Sequence, residues 1–236
     1  MRLFVPPPLL ADARMPLPEG AARHAMVRRV QPGDTLTLFD GSGSDWPATV
    51  LAVTRNSVSV QVGAPQPVQR ELPVAVTLAA VMPANERMDV LVEKATELGV
   101  SVIQPLHSAR SVLRLQDERA ERKRLHWQAI AQAACEQCGR ARVPQVLPVA
   151  ALLDWLPRAP AGARWLLSLT PGAQRPGAMA PVSSALCTLS GPEGGFTADE
   201  DAAARAAGFE PVDLGPRVLR AETAPLAVLG WLGLQG

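Results

Sequence analysis

Cysteine, lysine and histidine are scarce in this chain of 236 residues, and each scarcity excludes something. Three cysteines, an odd number, do not make a disulfide framework. The only lysines are Lys94 and Lys123, so the 23 basic residues are nearly all arginine, set against 22 acidic ones. A formal charge of +1 argues against a polybasic tail or a globally basic surface. It still permits a local basic face, since phosphate contacts need only a few well-placed cations. The arginine bias also fits a GC-rich genome. No apolar run approaches the about 20 residues of a membrane span. The opening Met1–Val5 and the three prolines after it lack the apolar core of a signal peptide, and predict a short strand ending at Pro6. A soluble cytoplasmic protein is the expectation, without internal repeats.

What is present is an apolar content of 47%, ample for a core, and a change of texture near residue 72. Before it, short β-rich runs alternate with turns. Thr35–Phe39 leads into Asp40-Gly41-Ser42-Gly43, and Ala48–Val53 and Ser57–Val62 follow across Arg55-Asn56. Val58, Val60 and Val62 share one face, so a small β-barrel is expected here. Pro65, Pro67 and Pro73 mark its exit.

Beyond Pro73 strands and helices alternate. Val74–Val81 is a continuous apolar run, as in a strand buried on both faces. Asn85 is placed to cap a helix carrying Met88, Leu91, Val92, Ala95 and Leu98 at helical spacing, with Gly99 as its stop. Strands are expected at Val102–Leu106, Val143–Leu147, Arg164–Leu169, Ala185–Ser190 and Glu210–Leu214, and helices at Glu118–Gln137 and Glu222–Leu234. Thr197-Ala198-Asp199-Glu200 reads as a capping box whose helix ends at Gly208. Alternation of this kind implies a mostly parallel α/β sheet.

Two loops invite chemistry. Leu189-Ser190-Gly191-Pro192-Glu193-Gly194-Gly195-Phe196 joins a strand to a capped helix, where open α/β sheets bind ligands. Its glycines let backbone approach a ligand, although a tight structural turn accounts for them equally well. The spacing is neither a dinucleotide fingerprint nor a P-loop. Leu214-Gly215-Pro216-Arg217-Val218-Leu219-Arg220-Ala221-Glu222-Thr223 repeats the arrangement, so both loops can meet over one pocket. Arg217 and Arg220 can face an anion there or simply be solvated. Cys135 and Cys138 lack a second pair and lie at a helix end that disfavours a thiolate, so no metal is expected. His107 and His126 have no partners at ligand spacing, and Trp127 and Trp155 read as core residues.

SGPEGGF followed by LGPRVLRAETA resembles the signature of the RsmE family, the 16S ribosomal RNA uridine-N3 methyltransferases of the SPOUT superfamily. Leu91–Val100, Ala134–Arg140, Arg2–Val5 and the early His24 with Arg28 and Arg29 are similar to that family too. The resemblance implies a PUA-like RNA-binding barrel over residues 1–72 and a trefoil-knotted SPOUT domain over residues 73–236. It implies S-adenosylmethionine bound by Leu169 and Thr170, by Ser190, Gly191, Pro192, Gly194 and Gly195, and by Leu214, Gly215, Val218, Leu219 and Thr223. Arg220 would stabilise the uracil anion, with Glu193 as base, as orienter of Arg220, or as a ligand of its own loop. Arg23, Arg28, Arg29, Arg110, Arg122 and Arg140 would face 16S rRNA in the small ribosomal subunit. A homodimer, with neither metal nor membrane, is further implied. Ser108-Ala109-Arg110 departs from the family's Ser-Glu-Arg, which puts any role of that carboxylate in doubt. A related SPOUT enzyme methylating a ribose 2′-oxygen, and a non-catalytic ribosome-assembly protein of the same fold, are the alternatives.

Overall fold

The computed structural model describes residues 1–84, 86–170 and 172–235, which fall into two compact units. The first holds Met1–Glu71 together with Gln132–Val143; the second holds Leu72–Ala131 and Pro144–Gly236.

The first unit is built on β1 (Arg2–Phe4), β2 (Arg14–Pro16), α1 (Glu19–Val27), β3 (Thr35–Phe39), β4 (Ser44–Val53), β5 (Val58–Val62) and β6 (Gln66–Pro67). Strand order is β1-β3-β4-β5-β2, with β6 on β4; β1 runs parallel to β3 and the other pairings are antiparallel. The alternation along β5 is the one its sequence demands, since Val58, Val60 and Val62 are fully buried against Leu3, Leu36 and Leu38. Asp40 organises the expected turn by accepting the Ser42 amide at 3.0 Å, with Gly41 and Gly43 at positive φ. Burial pushes the Asp40 carboxyl up, but hydrogen bonds from Ser42 and Leu9 outweigh it and hold the group below its ordinary value. β2, β6 and α1 were not expected; Pro16, Pro18 and Gly20 obscure the helix in sequence.

The second unit carries β7 (Ala75–Val81), α2 (Arg87–Glu97), β8 (Val102–His107), most of α3 (Asp117–Cys138), β9 (Gln145–Val146), β10 (Ala150–Ala151), α4 (Leu152–Trp155), β11 (Ala163–Leu167), β12 (Ala185–Ser190), α5 (Ala198–Ala206), β13 (Glu210–Val212) and α6 (Thr223–Gly233). Among the described residues its sheet runs β10-β8-β7-β12-β11-β13, with β9 on β8, and every pairing is parallel. β12 is central, and its Leu186, Cys187, Thr188, Leu189 and Ser190 are all buried, as expected of a strand covered on both faces. Burial pushes the Cys187 thiol up to about 12, against the opposing charge of Arg164. Met88, Leu91, Val92 and Ala95 of α2 are buried, but Leu98 at its end is partly exposed. Gly99 ends the helix at φ +95°. The cap expected at Asn85 lies outside the described residues. The capping box is formed: Thr197 Oγ1 accepts the Glu200 amide at 3.2 Å and Glu200 Oε2 accepts the Thr197 amide at 2.9 Å. Trp127 and Trp155 are core residues, and Trp127 donates to Asp89 at 2.9 Å. Among the described residues no helix is long and apolar enough to cross a membrane.

Candidate active site

β13, β11 and β12 are neighbours and parallel, so their carboxyl ends open on the same edge of the sheet. The segments that leave these ends enclose one cavity of about 570 Å³, within the range that holds a cofactor-sized ligand. Of the residues expected to bind a cofactor, Leu169, Thr170, Ser190, Gly191, Pro192 and Gly195 line it from two segments. Leu214, Val218 and Leu219 line it from the third, together with Arg220, and Glu193 joins from the glycine-rich loop. Gly194, Gly215 and Thr223 are not in its wall. Gly194 backs onto the Arg110 side chain, and Gly215, at φ +113°, turns the chain while donating to Asp213 at 2.8 Å.

The chemistry of the wall is mixed. Leu167, Val212, Leu214 and Phe196 supply apolar surface. Ser168 and Thr170 share a hydroxyl hydrogen bond of 2.6 Å, and Thr170 donates its amide to Ser168 at 3.2 Å. The Ser190 hydroxyl is buried and has no hydrogen-bond partner among the described residues. An unpaired buried hydroxyl calls for a partner, and this one belongs to a cavity wall. Gly191 is kept bare by the Phe196 ring, which would lie 3.0 Å from any added Cβ. Arg217, Val218 and Arg220 stand exposed along the third segment. Phe196 lines the cavity as part of the expected loop, while Leu167, Ser168, Thr197, Asp201 and Val212 were not foreseen as wall residues; Thr197 and Asp201 were legible only as parts of a helix start.

The segments that follow β7 and β8 brace the glycine-rich loop from behind. Glu193 Oε1 accepts the Ala84 amide at 3.1 Å and meets Arg87 Nη1 at 3.3 Å. The arginine that Glu193 meets is therefore Arg87 and not Arg220. Arg87 Nε also lies 3.8 Å from Glu222 Oε1. Arg110, expected to face RNA, instead donates to the carbonyls of Gly194 and Phe196 at 2.8 and 3.3 Å. The Ala109 amide donates to Glu200 at 2.8 Å, so position 109 is held by its backbone, whichever side chain it carries.

The remaining arginines divide. Arg23, Arg28, Arg29 and Arg122 are exposed, Arg23 pairing with Glu19 at 2.6 Å. Arg140 corrects the expectation of an RNA contact. It is only 3% exposed and is clamped by Glu71, its Nε donating to Oε2 at 3.1 Å, which leaves it no surface for a phosphate. Cys135 is buried; a hydrogen bond with Cys138, then burial, raises its thiol well above the ordinary range and disfavours a thiolate.

A cavity over three strand ends of a parallel sheet is where open α/β folds bind ligands, and the family matches say which class of protein this is. Residues 70–233 match the RNA methyltransferase domain family and residues 17–63 the RNA methyltransferase PUA domain family. Ribosomal RNA small subunit methyltransferase E of Bacillus subtilis is 31% identical over 89% of this chain and 85% of its own length. The structure of the Neisseria gonorrhoeae methyltransferase of the same name, bound to S-adenosyl methionine, superposes with a TM-score of 0.93 at 36% identity, covering 99% of this chain and 97% of that one. A Legionella pneumophila protein in complex with SAM gives 0.93 at 31% identity over 100% and 97%. The chain belongs to the ribosomal RNA small subunit methyltransferase E family.

Proposed function

We propose that this chain methylates N3 of a uridine in 16S rRNA of the small ribosomal subunit, using S-adenosylmethionine, as a cytoplasmic homodimer. The second unit is read as a knotted SPOUT domain and the first as its RNA-binding barrel; the first takes in Gln132–Val143 as well as the residues before 72, so the single boundary expected there does not divide them. One observation carries this reading: two Gly-Pro loops from strand ends of one sheet share a single cavity with an exposed arginine, Arg220, in its wall.

The cavity fits the cofactor on its own terms. The unpartnered Ser190 hydroxyl offers a polar contact, and bare Gly191 lets backbone come close. Val212, Leu214 and Phe196 offer apolar surface to the faces of an adenine ring, and Leu169, Thr170, Val218 and Leu219 complete the wall. When bound, S-adenosylmethionine supplies a methyl group on a positively charged sulfur. The chain's own task is the nucleophile. Uridine N3 bears a proton, and its anion spreads charge onto O2 and O4. Arg220 holds a guanidinium against those oxygens and so favours the anion. The proton passes to water. Glu193, fixed through Oε1 by Ala84 and Arg87, is assigned to shaping the loop.

The deciding experiment is methyl transfer on assembled small subunits and on naked rRNA, with mass spectrometry of the digested product. N3-methyluridine is the expected product. A 2′-O-methylated nucleoside, or binding without methylation, would replace this reading with one of its competitors.

For RNA contact we assign the exposed Arg28 and Arg29 in the first unit and Arg119 and Arg122 at the start of α3. Charge reversal by Arg119→Glu and Arg122→Glu is expected to weaken small-subunit binding. It should flatten the slope of log affinity against log salt by about 0.9 for each phosphate no longer neutralised. Cofactor affinity, followed by calorimetry, should stay as in the wild type; unchanged subunit binding would remove these arginines from the interface.

A further inference from the structure

Arg87 opens α2 and does not line the cavity, yet it stands between the two loops that form it. Its Nη1 lies 3.3 Å from Glu193 of the glycine-rich loop, and its Nε lies 3.8 Å from Glu222, at the end of the second loop. Two carboxylates thus share one guanidinium, each loop contributing one. Glu222 needs it most: its side chain is 12% exposed, and Oε2 is buried without a hydrogen-bond partner among the described residues. Removing the cation beside a desolvated carboxylate is costly. Arg220 precedes Glu222 by two residues, and its carbonyl accepts the Thr223 and Ala224 amides at 2.9 and 3.1 Å, so the two side chains are fixed to the same helix start.

We propose that Arg87 is a positioning residue that latches the Ser190–Phe196 and Leu214–Thr223 loops together and so sets where Arg220 stands. The latch acts through charge and geometry: without Arg87, Glu193 keeps the Ala84 amide alone, and Glu222 loses the cation beside it. A shorter cation in the same place should restore part of the pairing, whereas a neutral polar side chain such as glutamine should not. The consequence for catalysis rests on the methyltransferase reading above; the latch itself is a property of the protein without cofactor.

Hydrogen exchange on the cofactor-free chain separates the two. In Arg87→Gln, peptides covering residues 190–196 and 214–223 should both exchange faster, by about tenfold for a 1.4 kcal/mol loss of local protection, and Arg87→Lys should recover part of it. Glu193→Gln should loosen mainly the first loop and Glu222→Gln mainly the second. Unchanged exchange in either loop of Arg87→Gln overturns the proposal, as does Arg87→Lys behaving like Arg87→Gln. In the methylation assay the expected split is a lower kcat with a smaller change in KM for RNA. The exchange pattern across the variants, found together with a wild type that transfers no methyl group, would sink the enzymatic reading and leave the latch standing. Thermal melts of each variant identify any that fail to fold, for which the two glutamate variants carry the test.

Discussion

Replacing Arg220 with alanine lowers methyl transfer about 10²–10³-fold while S-adenosylmethionine affinity stays within about twofold of the wild type. The asymmetry follows from where the guanidinium acts. On the proposed reading the cofactor sits in a cavity whose wall includes many apolar side chains, from which one exposed arginine can be removed without opening it. The uracil anion, in contrast, exists only on the way to product, and an interaction made only there appears in kcat rather than in binding. Lysine at this position keeps the charge but loses the planar fork that can address two oxygens at once, so Arg220→Lys should fall between the two. Single-turnover transfer under saturating cofactor, beside calorimetry, checks both halves. Wild-type turnover in Arg220→Ala would end the proposal that this side chain stabilises the anion.

The largest effect on stability is expected at a residue far from any motif. Gly162 lies just before β11 at φ +117°, and a Cβ there would sit 2.7 Å from the carbonyl oxygen of Ala185, the first residue of β12. Backbone atoms of a central strand cannot swing aside as a flexible side chain can. Gly162→Ala therefore combines a disallowed backbone conformation with a clash against the sheet. A loss of about 2–4 kcal/mol is expected, or a fall in melting temperature of roughly 5–15 °C. Gly177→Ala is the matched control, because it has open space and an ordinary φ; its melting temperature should move by no more than a few degrees, about 1 kcal/mol or less. Equal melting temperatures for the two variants would refute the argument.

Local signals were legible where one residue pattern settles one element. Ala185–Ser190 and Thr35–Phe39 fall where their apolar runs and flanking turns place them, and Thr197 and Glu200 form the capping box that their spacing announces. Short pieces such as β2, β6 and β10 were not legible, because two or three residues become a strand only when a partner strand arrives. The same holds within the site. The glycines and prolines of both loops advertise themselves, but Arg87 meets Glu193 106 residues further along the chain, and no local pattern encodes that encounter. Arg140 misled for the mirror-image reason: the family resemblance turns it towards RNA, while the carboxylate that buries it is 69 residues away. Arg110 misled less, since it does serve the site, from behind the loop rather than towards the RNA.

The first unit is not a continuous stretch of chain, and this bears on how it can be made. Arg2 donates to the carbonyls of Cys135 and Arg140, Phe4 donates its amide to Glu136 at 2.9 Å, and the Gly43 amide donates to Ala141 at 3.1 Å. During synthesis from the amino terminus, residues 1–71 emerge long before these partners do. Until Val143 has left the exit tunnel, Arg2 and Phe4 must wait for acceptors that have not yet been translated. The first unit, although it opens the sequence, is thus completed only after the first strands of the parallel sheet are already outside, and a fragment cut at Glu71 would lack residues that belong to it.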